Sequence, residues 1–538
     1  MIRSIVLFLI GCFALTVTAQ DQKVKKPQAE EVVTYYDKDQ KHVYYRGSFL
    51  FGKKHGEWTY FYRNGNKMEQ SMYNNGLLSG DVKYWYDSGQ RKAEGAFKVV
   101  YENGLLISVA DSSYREWYAN GNMKVKGTYD NDLRVGDWSY WFPEGDLWKQ
   151  IHFINGFPRP FHGWNKEREQ TLLDGNGILY DYYETGPLKA TFAVKDSTYN
   201  GLSQNFSPEG VLVSEGDLKG LDKQGLWKFN FPDGTSWKHI EYVDGELDGL
   251  IKNWFRNGTL SLEGQHASGS KTGHWKWFDE EARIYQEGDF KEDLQHGKWT
   301  YYFDNGQIES TGNFEKDLRK GAWEMFYKNG AKWKDGSYLN DKKHGHWVTY
   351  FEDGQMLQEG DYVNGKENGV WKAWYQNGQM KDEGAYADGI MHGSWTGWYD
   401  NGELNYRGTR KQGKKDGEWT YGFRNGKTRE EGSYNDGMKT GKWVFYYESG
   451  QIDYSCSYTD GAKDGKCVYY YPHGSKMREE SYRMDRLTGK SKMWGPTGEL
   501  VSVRSYKDGV PHGKAINYDE KGQKLNEIIY KEGVRVGP

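Results

Sequence analysis

The sequence predicts an all-β protein, an elongated solenoid-like meander of about 20 antiparallel β-hairpin repeats with a 24-residue period. Three observations predict it. Glycine recurs at Gly201, Gly225, Gly249 and every 24 residues onward to Gly537, and a fixed period of this length marks a repeat array. Asn-Gly pairs such as Asn305-Gly306 and Asn377-Gly378 stand inside the units and are strong hairpin signals. The chain of 538 residues holds 69 Gly, 43 Tyr and 23 Trp but only 11 Pro. Many aromatics and few aliphatics suit strands and tight turns rather than helices.

Taken in order, residues 1–19 read as a secretory signal. Arg3 supplies the positive start, residues 5–17 the apolar run, and Val17-Thr18-Ala19 a small-residue cleavage site before Gln20. Export to the periplasm, cell surface or medium is therefore expected. Leu9-Ile10-Gly11-Cys12 resembles a bacterial lipobox, but residues 13–17 stay apolar, which disfavours a lipoprotein anchored through Cys12. No later segment is long and apolar enough to span a membrane. Residues 20–31 are polar and read as a flexible lead.

The repeat array covers 32–538. Its early units open at Gly56, Gly80, Ser112, Gly136 and Gly177. The step from Gly80 to Ser112 is 32, so eight residues are inserted, around residues 99–108. The step from Gly136 to Gly177 is 41, leaving an irregular unit near 155–176. Pro158 and Pro160 are expected to break the strand pattern there.

In the Gly297 unit the first strand is expected at 298–303 and the second at 307–314. A loop holding Asp or Asn, Gly, Lys and His should then lead to the next unit. An even period returns each side-chain class to the same sheet face. One face carries Trp299, Tyr301, Phe303, Ile308, Gly312 and Phe314. The other carries Lys298, Thr300, Tyr302, Glu309, Thr311 and Asn313, so it is polar with a single aromatic. That aromatic recurs as Trp254, Phe278, Tyr302, Phe326, Tyr350, Trp374 and Trp398, a candidate binding stripe. Its alternative is packing against the sheet curled on itself.

The array serves as its own alignment. A tryptophan stands two residues after most opening glycines, and another glycine nine residues before them. Gly312/Trp323, Gly336/Trp347 and Gly384/Trp395 keep both members. Ser71/Val82, Phe192/Ser203, Ile240/Ile251, Cys456/Cys467, Glu480/Ser491 and Arg504/Ala515 lose both. Joint loss predicts a cross-strand contact, an indole shielding a glycine that has no side chain of its own. Each unit should dock on the preceding one through it. If the positions are cross-strand neighbours, Cys456 and Cys467 lie about 4.5–5.5 Å apart at Cα, within disulfide range. An exported chain meets an oxidising compartment, so a disulfide is expected. The alternative is cysteine as a small apolar filler.

Residues that could carry chemistry are few. His55, His296, His344, His392 and His512 each precede an opening glycine. Adjacent units should lie two strands apart, about 9.6 Å, whereas a metal needs ligands at about 2.1 Å; the histidines are therefore read as loop residues. Glu430-Glu431 and Glu479-Glu480 point to opposite faces and read as solvated charge. Nucleophile-elbow, phosphate-loop and zinc-ligand patterns are absent. The expectation is a protein that is not an enzyme, with no catalytic or metal residues and no cofactor. A formal net charge of −4 gives no electrostatic footprint for nucleic acid.

The pattern G-x-W-x-x-Y-x-x-N-G, then E-G-x-Y and a loop ending in H-G, resembles the MORN repeat. It is more closely similar to the bacterial variant known as YwqK-type antitoxin repeats. Residues 53–58 (KKHGEW) and 342–347 (KKHGHW) carry the sharpest matches. The resemblance covers 32–538 and implies a hairpin meander acting as a scaffold or partner-binding surface. Residues 441–447 (GKWVFYY) are similar to shorter cell-wall repeats whose paired aromatics cage choline. The reading is an exported non-catalytic repeat protein that offers a binding or scaffolding surface to a protein partner. The alternatives are a cell-wall carbohydrate-binding protein, or an antitoxin-like or immunity-like protein that neutralises a toxin. Nucleic acid is not expected as a partner, and membrane binding has no support in the residues.

Overall fold

The computed structural model describes residues 28–538. The signal segment, Cys12 and most of the lead lie outside the described residues. Among the described residues every regular element is a strand. There are 44 of them, antiparallel, in an open meander. The chain divides into two compact units. Unit 1 comprises Met1–Trp227 with Pro232–Gly234, and unit 2 comprises Lys228–Phe231 with Thr235–Pro538.

In unit 2 the repeat is regular, and one copy shows why it folds. The strand Leu294–Tyr302 is followed by Ile308–Glu315 and then by Leu318–Phe326. The first turn closes with Phe303 N donating to Gln307 O at 2.8 Å and Gly306 N donating to Phe303 O at 2.9 Å. Gly306 has φ +81°, a conformation that costs glycine nothing. The second turn is only Lys316-Asp317, with φ of 53° and 64°. Two left-handed residues in a row match the twist of the flanking strands.

These bounds correct the sequence reading. The first strand starts at Leu294, not at 298, and the second is displaced by one residue at each end. The loop between units is two residues long. The lysines and histidines assigned to it lie in strands: His55 in Lys53–Phe61, His296 in Leu294–Tyr302, His344 in Lys342–Tyr350, His392 in Ile390–Trp398 and His512 in Val510–Tyr518. The opening glycine is likewise inside its strand. Asn313 pairs with Lys320 and Gly312 with Trp323, so Gly321 and Ala322 bulge out of the ladder with the preceding strand. Both stay paired with the following one, to Tyr338 and Ser337. Gly321, at φ +74°, supplies the left-handed backbone this bulge uses.

Unit 1 departs from the pattern in three places. Its first strand, Glu30–Tyr35, starts within the expected lead. The eight-residue insertion is a hairpin: Arg91–Glu102 pairs with Leu105–Ala110 across Asn103-Gly104. Pro158 and Pro160 do not break the chain into loop, because both lie in the strand Phe157–Trp164. Pro160 is tolerated because the register shifts beside it. Gln150 pairs with His162 and Ile151 with Pro160, leaving Phe161 as the extra residue, and proline is admitted to sheets at such bulges.

A single-layer sheet must bury its apolar face without a second layer. In unit 2 the burial comes from the face itself. Phe290, Trp299, Phe314, Trp323, Tyr338 and Trp347 form a continuous edge-to-face run with ring centroids 5.1–6.0 Å apart. This is the geometry that ring quadrupoles favour. A row of cations lies over it, each four residues before a tryptophan. Lys271 stands 5.1 Å from the Trp275 ring, Arg319 is 4.1 Å from Tyr338, and Lys343 is 4.5 Å from Trp347. Their stems cover ring surface while the charge meets the ring faces. Burial holds the Lys343 ammonium below its ordinary pKa. Trp299, Trp323 and Trp347 are buried.

Candidate functional site

The glycine–tryptophan pairs lie directly across strands: Gly312 is opposite Trp323, and Gly384 is opposite Trp395. A Cβ added at Gly312, Gly336 or Gly384 would overlap Cδ2 of Trp323, Trp347 or Trp395 respectively. Each indole therefore lies flat on the glycine of the preceding strand. Its N–H donates to the carbonyl of the next residue: Trp323 to Asn313 at 3.1 Å, Trp347 to Ser337 at 3.0 Å and Trp395 to Ala385 at 3.2 Å. The buried donor is thus satisfied at the bulge itself. On its other side Trp323 faces Gly336, and Trp443 faces Cys456. Only the preceding position lies under the indole, so only that position must be glycine.

The pairs that lost both members are also opposite each other: Ser71 with Val82, Phe192 with Ser203, Ile240 with Ile251 and Arg504 with Ala515. Cys456 is opposite Cys467, the Cα atoms are 4.1 Å apart, and the sulfurs are joined as a disulfide. Closing so short a loop is expected to contribute about 3 kcal/mol. Peptide mapping of the protein without reductant should yield one linked peptide holding both cysteines. Full alkylation of both thiols in the unfolded, unreduced protein would contradict the link.

The aromatic stripe is not a row of free rings. Trp254, Phe278, Tyr302, Phe326, Tyr350, Trp374 and Trp398 are all half-buried. Each ends its strand, as Tyr302 does at a register shift that pairs it with Ile308. Tyr302 donates its hydroxyl to Glu287 at 2.6 Å. Two of the stripe's carbonyls accept from a tyrosine that opens the preceding hairpin turn. Tyr327 donates to Tyr350 O at 2.8 Å and Tyr375 to Trp398 O at 3.0 Å. The turn asparagine adds a second tie: Asn305 Nδ2 donates to Lys328 O at 2.8 Å and Asn377 Nδ2 to Asp400 O at 2.7 Å. Sequence reading took the Asn-Gly pair as a turn signal alone. Its 24-residue recurrence was the available clue that it also stitches successive hairpins.

Sequence reading missed one row on the polar face. Ile178, Leu202 and Leu226 each follow an opening glycine in unit 1 and are 43%, 48% and 47% exposed. They are aliphatic side chains in register, one per repeat, on the face classed as polar. Reading that single position down the period would have found them.

In unit 2 the same position is mixed: Leu250 and Val370 are aliphatics, 51% and 55% exposed, whereas His274 and His346 meet carboxylates. His274 Nδ1 is 2.7 Å from Asp289, and Nε2 is 3.2 Å from Glu287. His346 repeats the arrangement with Asp361 at 3.0 Å and Glu359 at 3.4 Å. Burial opposes the charged form of His274, but the two carboxylates outweigh it and raise its pKa above the ordinary value. A raised folded pKa stabilises fully below the unfolded value of about 6.5, and the contribution is lost as pH rises through the folded value. The stability difference between the parent protein and His274→Gln should therefore be larger at pH 5.5 than at pH 8.5. An equal difference at both would contradict the pairing.

These features define a class: a β-hairpin repeat protein whose units dock through an indole on a glycine. The family model described as MORN repeat variant matches at eight places, residues 54–75, 111–131, 134–155, 295–316, 343–364, 367–388, 391–412 and 439–460. The chain carries MORN-variant repeats at these eight places. Comparison with curated proteins finds no match. Among solved structures it is similar to TcdB2-TccC3 without hypervariable C-terminal region, at 10% identity, over 93% of this chain and 31% of that one, with a TM-score of 0.14. It is also similar to the Photorhabdus luminescens Tc holotoxin pore of a TccC3 mutant, at 10% identity, over 94% and 30%, with a TM-score of 0.12. The chain spans about a third of the length of the structures it matches. At these scores the likeness carries no functional argument.

Proposed function

We propose that this chain is an exported, non-catalytic binding or scaffolding protein for a protein partner, and that the polar face of unit 1 is a contact surface. The row Ile178, Leu202 and Leu226 carries the reading. Three exposed aliphatics recurring in register on a polar face are the kind of feature that marks interaction sites. The opposite face is occupied by its own aromatics and cations, which leaves the polar face free for a partner. Export rests on the signal pattern at residues 1–19.

The test is cross-linking in the native host with the parent chain and with Leu202→Asp/Leu226→Asp. The parent should capture one defined protein in stoichiometric yield. The variant should lose it while keeping the same melting temperature. Equal capture by both chains, or binding only to a glycan array, would count against a protein partner at this face. N-terminal sequencing of the exported protein should begin at Gln20; an intact Met1 terminus would remove the export reading.

A further inference from the structure

The irregular part of unit 1 borders a cavity. The strands Phe157–Trp164 and Gln170–Leu173 turn the sheet back. As a result Leu147–Ile154 and Asn176–Tyr182 meet side chain to side chain. Trp148 Nε1 donates to Tyr180 O at 2.9 Å, the Trp148 and Tyr182 rings are 5.9 Å apart, and Lys149 Nζ is 2.5 Å from Asp181. The cavity's volume is about 630 Å³, within the range of small-molecule pockets.

Its charge is unbalanced. Five cations and three carboxylates line it. At its base Asp181 is shared by Lys149 at 2.5 Å and Lys189 at 4.0 Å, so two positive charges face one negative. Lys149 is withdrawn from water, its side chain only 12% exposed, with Nζ 4.0 Å from the Trp148 ring centroid. Burial lowers its pKa although Asp181 opposes this. Lys166, 5.4 Å from the Tyr182 ring centroid, has no carboxylate partner among the described residues. An excess cation in a partly desolvated pocket favours an anion there. The aromatic wall of Tyr140, Phe142 and Trp148 favours an anion with a ring, and the volume is too large for a bare ion.

We propose that this cavity binds a small carboxylate that carries a ring, with its carboxylate at Lys149 and Lys189 and its ring against the aromatic wall. The inference is independent of the polar-face contact. Two ligand sources share this chemistry, hydroxylated sugar acids and flat aromatic acids.

Calorimetric titration of the full chain with glucuronate, benzoate, glucose and inorganic phosphate tests it. Saturable binding of at least one acid is expected, with glucose and phosphate at least about tenfold weaker. A preference for glucuronate or for benzoate would identify the source. Lys189→Ala and Lys166→Ala change solvent-facing ammonium groups and should leave the circular dichroism spectrum intact. Each should weaken acid binding about tenfold, the worth of one charged hydrogen bond. No saturable binding of either acid, equal binding of glucose or phosphate, or unchanged affinity in both folded variants would overturn the proposal.

Discussion

Trp323→Ala is expected to lower stability by about 3–5 kcal/mol, the usual cost of truncating a buried tryptophan, and to do so locally. Trp323 lies on Gly312, donates to Asn313 O, and packs edge-to-face between Phe314 and Tyr338. Removing it uncovers a glycine, orphans a carbonyl contact at the bulge and interrupts the aromatic run. In a repeat array stability is nearly a sum over neighbours, so opening should stay near the lesion. Hydrogen exchange should accelerate around Gly312 and Trp323 and remain unchanged near Trp443. A uniform increase along unit 2 would contradict docking by local contacts.

Gly312→Ala is expected to destabilise by about 1–3 kcal/mol, the cost of forcing extra atoms into a packed site. The sign is the informative part. Within a strand, alanine is ordinarily better than glycine by about 0.5–1 kcal/mol because it loses less backbone freedom. At Gly312 the new Cβ would overlap the indole ring of Trp323, so the indole must lift and its hydrogen bond must stretch. Gly441→Ala is not an equivalent control, since that glycine has φ +65° and would be strained for a backbone reason. A gain in stability or exchange protection from Gly312→Ala would mean that the ring is not held against the strand.

Much of this could be read from the residues because the period is even and uninterrupted over the regular run. Parity sorted Trp299 and Phe314 onto one face and Lys298 and Thr300 onto the other. Comparing repeats then linked Gly312 with Trp323 and Cys456 with Cys467. The errors share one cause. Glycine was read as punctuation, so Gly297 and its relatives were taken as strand starts, whereas they serve a bulge inside a longer strand. Once the loop is two residues long, Arg319 and Lys343 fall by parity on the tryptophan face, where they cover the rings. The loop assignment hid that cover. The exposed row Ile178, Leu202 and Leu226 was hidden by averaging over a face instead of following one position. The cavity could not be read at all. Lys149 and Asp181 are 32 residues apart, off the repeat step, and meet only because the irregular unit turns the sheet back.

The central claim is that the indole and the glycine beneath it act as one unit. Ile240 and Ile251 show that the pair of positions can instead hold two aliphatics in direct opposition. A double-mutant cycle at Gly312 and Trp323 tests this most directly, with Gly312→Ile, Trp323→Ile and the combination compared by hydrogen exchange at that interface. The first variant crowds the indole and the second leaves the glycine bare. The combination should restore packing, so its loss should fall short of the sum of the two by about 1–3 kcal/mol, the coupling seen for residues in contact. Additivity within about 0.5 kcal/mol would contradict the claim.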